Sequence, residues 1–274
     1  MTSRSPDATP PFAAVVLAGE RKPGADPLAR AAGVPSKILV PVGGVPVIDR
    51  VVDAIESTAA IDSRWLAGPD RAAVERHAAL HERIDDGRWR WLAPTESPAS
   101  TALTALHAIG PRPVLVTTAD HAWLRPDIVG HFLSAASATG ADLAIAFARL
   151  DTVRARFPDS RRTGWRFADG GYCGCNLFAF MTPQASAVAR LWRAFEKDRK
   201  RPWRIVAGLG PGLLLRYVTG RLALDAGLAE LGRRAGCRIA PVVLPFPEAA
   251  VDVDSVEDWQ MVNRLSAAVA DSRS

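Results

Sequence analysis

Apolar positions along this chain switch repeatedly between unbroken runs and helical spacing. Phe12 to Leu17 is a short apolar run closed by Ala18-Gly19, which suits a buried strand better than a helix. From Pro46 to Ile55, Val47, Ile48, Val51, Val52 and Ile55 recur on one helical face. The same reading predicts strands at Arg64 to Ala67, Trp89 to Leu92, Val114 to Thr118, Asp142 to Arg149, Leu177 to Phe180 and Arg238 to Leu244. Helices are predicted from Asp70, as N-cap, to about His81, then over Thr101 to Ile109, Asp127 to Ala138 and Pro183 to Lys197. Ile205 to Arg234 reads as helical with glycine breaks, and Ser255 caps a last helix. Thr152 to Gly171 is Arg-rich and reads as irregular, followed by a Gly-rich turn into Leu177. Apolar strands alternating with amphipathic helices predict an α/β fold: a three-layer α/β/α sandwich with a mainly parallel mixed sheet and a Rossmann-like first half. Ligands of such folds lie along the C-terminal strand ends.

Composition narrows the class. With 274 residues, 48% hydrophobic and 23% charged, the chain can bury a large core. No apolar run reaches the roughly 18 residues that span a bilayer, so the expected location is cytoplasmic. We expect residues 1–11 to form a flexible tail and 12–268 a single domain, with a basic helical insertion around 183–235. Three cysteines are too few for a disulfide framework, and Cys173 and Cys175 lack zinc-knuckle spacing, so buried or half-buried thiols are expected. His77 and His81 are four apart but outside an HExxH pattern, which favours a solvated helix face. The net charge of +5 suits acidic partners: nucleotides, phosphorylated acceptors, nucleic acid or an anionic membrane. Nothing points to sequence-specific nucleic-acid binding. The cluster Glu196 to Arg204, with Trp203, beside Leu213-Leu214-Leu215 keeps peripheral membrane contact open.

Candidate chemistry gathers at strand ends. A strand, the small-residue turn at Ala18-Gly19, a basic loop with Arg21, Lys22 and Arg30, and then Lys37 and a helix make a phosphate site. The same features also fit a plain surface loop. Ser100-Thr101 near a helix start can hold a base edge or a phosphate, or simply cap the helix. Asp120 follows the buried strand Val114 to Thr118, where ligands normally bind. Asp252 and Asp254 are two apart in an extended segment that precedes the last helix.

Three ordered motifs carry a resemblance: LAG followed by PSK and LVPVGGVPVIDRVVDAI, then TTAD, then DVDSVED. In this order they resemble the nucleotidyltransferases, which include the sugar-phosphate nucleotidyltransferases and the MobA-like NTP transferases. The resemblance covers nearly the whole chain. It implies that the first half binds a nucleotide, with Leu17, Ala18, Gly19, Arg21, Lys37, Ser100 and Thr101 around it. It implies catalytic roles for Lys37, Asp120 and Asp252. Magnesium would be held by Asp120, Asp252 and Asp254, and the acceptor would meet Gly174 and Asn176. The chain departs from the pattern at Glu20, where a further glycine is usual, and at Ala122, where a proline is usual. His121 lies between, either turned to the phosphates or capping the loop. The implied reaction transfers NMP from an NTP to a phosphorylated acceptor with release of pyrophosphate. The alternatives are a glycosyltransferase using an NDP-sugar, a molybdenum-cofactor nucleotidyltransferase and a non-catalytic basic binding module.

Overall fold

A computed structural model describes residues 11–20, 26–160, 164–195, 202–208 and 210–271. The tail before residue 11 and the loop residues Arg21 and Lys22 lie outside the described residues, as does most of the cationic stretch Glu196 to Arg204.

Among the described residues, ten strands run in chain order: β1 (Phe12–Leu17), β2 (Pro41–Val42), β3 (Val45–Pro46), β4 (Ile61–Ala67), β5 (Arg90–Leu92), β6 (Val114–Thr118), β7 (Leu143–Arg149), β8 (Trp165–Phe167), β9 (Gly170–Phe180) and β10 (Ile239–Leu244). Eight of them form one mixed sheet in the order β10-β7-β9-β6-β1-β4-β5, with β8 on the side of β9. β1 is parallel to β4 and β6, β4 to β5, and β10 to β7. Of these eight strands β9 alone runs the other way, antiparallel to β6, β7 and β8.

The alternation in β1 shows why the sheet is covered twice. Ala14 and Val16 join one buried cluster, while Ala13, Val15 and Leu17 join another. The first cluster packs α2 (Val47–Glu56), α6 (Pro126–Thr139), α7 (Leu150–Arg156) and α12 (Val256–Asp271) on one face. The second packs α5 (Pro98–Ile109), α8 (Ser186–Phe195) and α11 (Leu224–Ala235) on the other. A strand buried on both faces must be apolar throughout, which is what the opening run shows. The fold is therefore the predicted three-layer sandwich. Among the described residues, no helix is long and apolar enough to cross a membrane.

Several local expectations are corrected. The helix after Asp70 is two helices, α3 (Arg71–Arg76) and α4 (Ala78–Asp85), because His77 turns extended between them. The His77 ring meets Asp49 of α2 at 2.8 Å, so His77 and His81 do not share a helix face. The Arg-rich stretch is not irregular throughout: Leu150, Val153 and Phe157 bury one side of α7, and β8 follows. The Gly-rich turn before Leu177 is part of the long strand β9. The segment after Pro183 opens with a 3-10 turn before α8, and α9 (Pro202–Gly208), α10 (Pro211–Val218) and α11 follow. As expected, the Cys173 and Cys175 thiols are buried and the Cys237 thiol is half-buried.

Candidate active site

The sheet order places a switch point at β1. The chain leaves β1 for β4 and β5 on one side and returns to β6 on the other. A crevice opens at the C-terminal ends of strands where the order reverses in this way. Leu17, Ala18 and Gly19 end β1 there, and Asp120 lies two residues past β6. The Ala119 amide donates to Leu17 O at 3.0 Å, which ties the two strand ends together. Gly68, at the end of β4, closes on the same loop. It sits at φ +83°, and a Cβ there would lie 2.8 Å from the Gly19 nitrogen. That position needs a glycine both for its conformation and for the close approach.

Glu20 stands where the resembled family has glycine, and its side chain organises the approach of Lys37. One carboxylate oxygen accepts from the Ser36 hydroxyl at 2.5 Å and from the Lys37 amide at 2.6 Å. The short 3-10 turn Lys37–Leu39 therefore starts from a fixed point. Its ammonium reaches Asp120 Oδ2 at 2.8 Å and Asp254 Oδ1 at 2.5 Å. These residues are 83 and 217 positions from Lys37 in the sequence.

The C-terminal segment docks by its backbone. The Val253 amide donates to the Asp120 carbonyl at 2.9 Å, setting Asp252 to Asp254 beside Asp120. The segment is extended but unpaired, with Val251 and Val253 buried. Asp252 turns inward and is buried; Asp254 is exposed and faces Lys37. Asp252 Oδ2 accepts from Asn176 Nδ2 at 2.9 Å. Asn176 owes its position to a slip in the β7–β9 ladder: Ile145 pairs with Phe178, yet Phe147 pairs with Gly174. The extra residues on β9 bulge out and re-aim a side chain, as bulges near sites do. Asn176 adopts φ +48°, the left-handed region that Asn tolerates better than most residues. His121, fully buried, meets the Cys175 carbonyl at 3.1 Å through Nε2. It braces this bulge rather than facing the crevice.

The electrostatics follow from burial and pairing. Burial pushes the Asp120 carboxyl up, but the Lys37 charge and hydrogen bond outweigh it and bring the pKa down to about 2. Burial would lower the Lys37 ammonium; the charges of Asp120 and Asp254, and its hydrogen bonds to both, hold it above its ordinary value. At neutral pH Asp120 and Lys37 therefore form an ion pair.

The remaining expectations are less direct. The hydroxyls of Ser100 and Thr101 are engaged locally, with Glu96 at 2.8 Å and Thr95 at 2.9 Å, shaping the entry to α5. Gly174 is exposed on β9 with open space around its Cα. Arg149, at the end of β7 on the same sheet edge as Asp120, escaped the sequence reading. Its guanidinium donates to the Asp169 carbonyl at 3.0 Å and the Tyr172 hydroxyl at 3.3 Å.

The donor set suits a hard divalent cation. Asp120 Oδ1 is buried and has no hydrogen-bond partner among the described residues. Among the described residues, no three acidic, His or Cys side chains converge as a closed metal cage. Magnesium commonly takes one or two carboxylates and completes its shell with water and phosphate oxygens. Two carboxylates from among Asp120, Asp252 and Asp254 would meet that demand; Asp120 and Asp254 each already hold Lys37 through one oxygen.

Comparison with known proteins bears on this geometry. A family model described as the MobA-like NTP transferase domain matches residues 14–238. The chain belongs to the MobA-like NTP transferase family. It is a nucleotidyltransferase of that family. A hypothetical transferase from Thermus thermophilus is 30% identical, with a TM-score of 0.73, over 91% of this chain and 99% of that one. The 4-diphosphocytidyl-2C-methyl-D-erythritol synthase of Anaerococcus prevotii shares the fold at 14% identity and TM-score 0.59, over 94% and 96% of the two chains. A CMP:2-keto-3-deoxy-manno-octonic acid synthetase complexed with CTP shares it at 14% identity and TM-score 0.53, over 94% and 99%. No curated protein matched the chain.

Proposed function

We propose that this NTP transferase is magnesium-dependent and moves an NMP group from an NTP to a phosphorylated small-molecule acceptor. The observation that carries the reading is the meeting of Lys37, Asp120 and the Asp252 segment at the switch point, beside the Leu17–Gly19 loop. In this reading the loop backbone approaches the triphosphate, and Lys37 neutralises charge that builds on the α-phosphoryl and pyrophosphate oxygens. Asp120 and Asp252 hold magnesium, which supplies charge neutralisation on the phosphates when bound. Asn176 orients Asp252, while Gly174 and Arg149 lie toward the acceptor side.

An acceptor phosphate monoester has a second pKa of about 6 and is largely dianionic at neutral pH. One of its oxygens attacks the α-phosphorus in line, the bond from that phosphorus to the bridging oxygen breaks, and pyrophosphate leaves. No general base is needed, which agrees with a site built from one amine and carboxylates. We treat residues 12–268 as one catalytic unit, with α8 to α11 extending one face.

Pyrophosphate release with each NTP, magnesium and a panel of phosphorylated acceptors tests the reading. Asp120→Asn and Asp252→Asn should each lower turnover by about a hundredfold or more, the scale of losing a charge-stabilising group, with the fold retained by circular dichroism. Near-normal turnover in both would overturn it.

A further inference from the structure

The helices between α8 and α11 in the chain leave an apolar surface uncovered. α10 buries none of its residues. Its Tyr217 ring meets Phe167 of β8 edge-on at 5.8 Å, so that side faces the protein. Residues turn by about 100° along a helix, which puts Leu215 and Val218, three apart, together on another flank. They are 63% and 65% exposed, and Trp203 on the adjoining α9 is 51% exposed. These are the three most exposed large hydrophobic side chains among the described residues.

The chain that runs through this patch carries charge of one sign. Between Arg199 and Leu224 the sequence holds six Lys or Arg residues and no Asp or Glu. Arg204, Arg216 and Arg221 are exposed there, and the Arg204 guanidinium lies 5.3 Å from the centre of the Trp203 ring. Two copies of the chain meeting through this face would set like charges against each other. RNA would be served by a row of stacking aromatics, but the outward side chains here are mainly aliphatic. Aliphatic side chains and a tryptophan ringed by arginines match the boundary between acyl chains and anionic headgroups.

We infer that α9 and α10 form a peripheral docking surface for an anionic membrane, with Trp203, Leu215 and Val218 entering the headgroup–acyl boundary. Arg204, Arg216 and Arg221 then lie at the level of the phosphates and add attraction that falls with salt. The surface is independent of the catalytic reading, because it needs no nucleotide.

Co-sedimentation of the full chain with vesicles tests it. The protein should pellet with vesicles of phosphatidylcholine mixed with phosphatidylglycerol, pellet far less with phosphatidylcholine alone, and be released by salt. The double substitution Leu215→Ser/Val218→Ser should lower the partition coefficient by about tenfold or more, as expected for withdrawing two aliphatic side chains from the interface. Acyl chains carrying bromine should quench the wild-type tryptophan emission more than that of Trp203→Phe. That second readout decides the matter if the double variant fails to fold. The inference is overturned if no pelleting occurs, or if the double variant pellets as well as wild type. It is equally overturned if wild type is a lipid-free dimer that the double substitution dissociates, or if Trp203→Phe leaves the quenching unchanged.

Discussion

Removing the Lys37 ammonium should reverse the effect of a second substitution at Asp120. In the folded protein Asp120 is ionised, paired with Lys37 at 2.8 Å, and its pKa is depressed from 3.8 to about 2. At about 1.36 kcal/mol for each unit of pKa, that pairing contributes roughly 2 to 3 kcal/mol of stability. A depressed carboxyl stabilises above its unfolded pKa and loses the contribution as pH falls through the folded one. Asp120→Asn should therefore cost about that amount at neutral pH, with the difference from wild type fading between about pH 4 and pH 2. Lys37→Met leaves a buried carboxylate without its partner, so burial alone would then raise the Asp120 pKa. In that background Asp120→Asn removes an uncompensated charge and should stabilise. Urea unfolding of the four proteins at neutral pH closes the cycle, with an expected coupling of at least about 2 kcal/mol. If Asp120→Asn costs the same with and without Lys37, the two groups do not support one another and the electrostatic account of the site is wrong.

Two other side chains make separable claims. Asn176→Ala and Asn176→Gly should both reduce pyrophosphate release, since each loses the bond to Asp252. Glycine relieves the φ of +48°, so Asn176→Gly should be more stable than Asn176→Ala by about 1 kcal/mol in thermal denaturation. Glu20→Gln keeps an oxygen for the Ser36 hydroxyl and the Lys37 amide and should stay close to wild type. Glu20→Ala frees the start of the Lys37 turn and should lower kcat by about tenfold, the scale of a misplaced catalytic group. Similar kcat values for the two Glu20 variants would remove Glu20 from the account.

The layers of the fold were legible because their signal is local. The run Phe12 to Leu17 is apolar since both faces of β1 are covered, and Val47 to Ile55 shows a helical stripe since one face of α2 is buried. Asp70 was readable as a cap and accepts a backbone amide, whereas α5 is capped by Ser97 and not by Ser100 or Thr101. The break at His77 was hidden because the residue its ring meets, Asp49, lies 28 residues away. α7 was obscured by the arginines around Leu150, Val153 and Phe157, although the buried spacing is present. The glycines of β9 suggested a turn, but the strand uses that small size: a Cβ at Gly171 would lie 3.0 Å from Leu150.

Within the site, Lys37, Asp120 and Asp252 could be named from motif order, yet nothing in the sequence showed how they are held. The Glu20 bridge spans 16 residues and the Asn176–Asp252 bond spans 76. The bulge that presents Asn176 comes from a slip between two strands, which no single stretch reveals. Strict alternation would put Asp252 and Asp254, two apart, on one side of an extended segment. Their separate partners, Asn176 and Lys37, could not be read from it.

The most direct measurement of the central claim is a thermal-shift screen of each NTP, with and without magnesium, on wild type, Asp120→Asn and Asp252→Asn. A ligand at about a hundred times its Kd adds roughly 2.7 kcal/mol, which for a chain of this size raises Tm by about 5 to 10 °C. The account predicts such a rise for at least one NTP with wild type, larger with magnesium, and loss of the magnesium-dependent part in both variants. An equal magnesium-dependent rise in all three proteins, or no rise with any NTP, would contradict it.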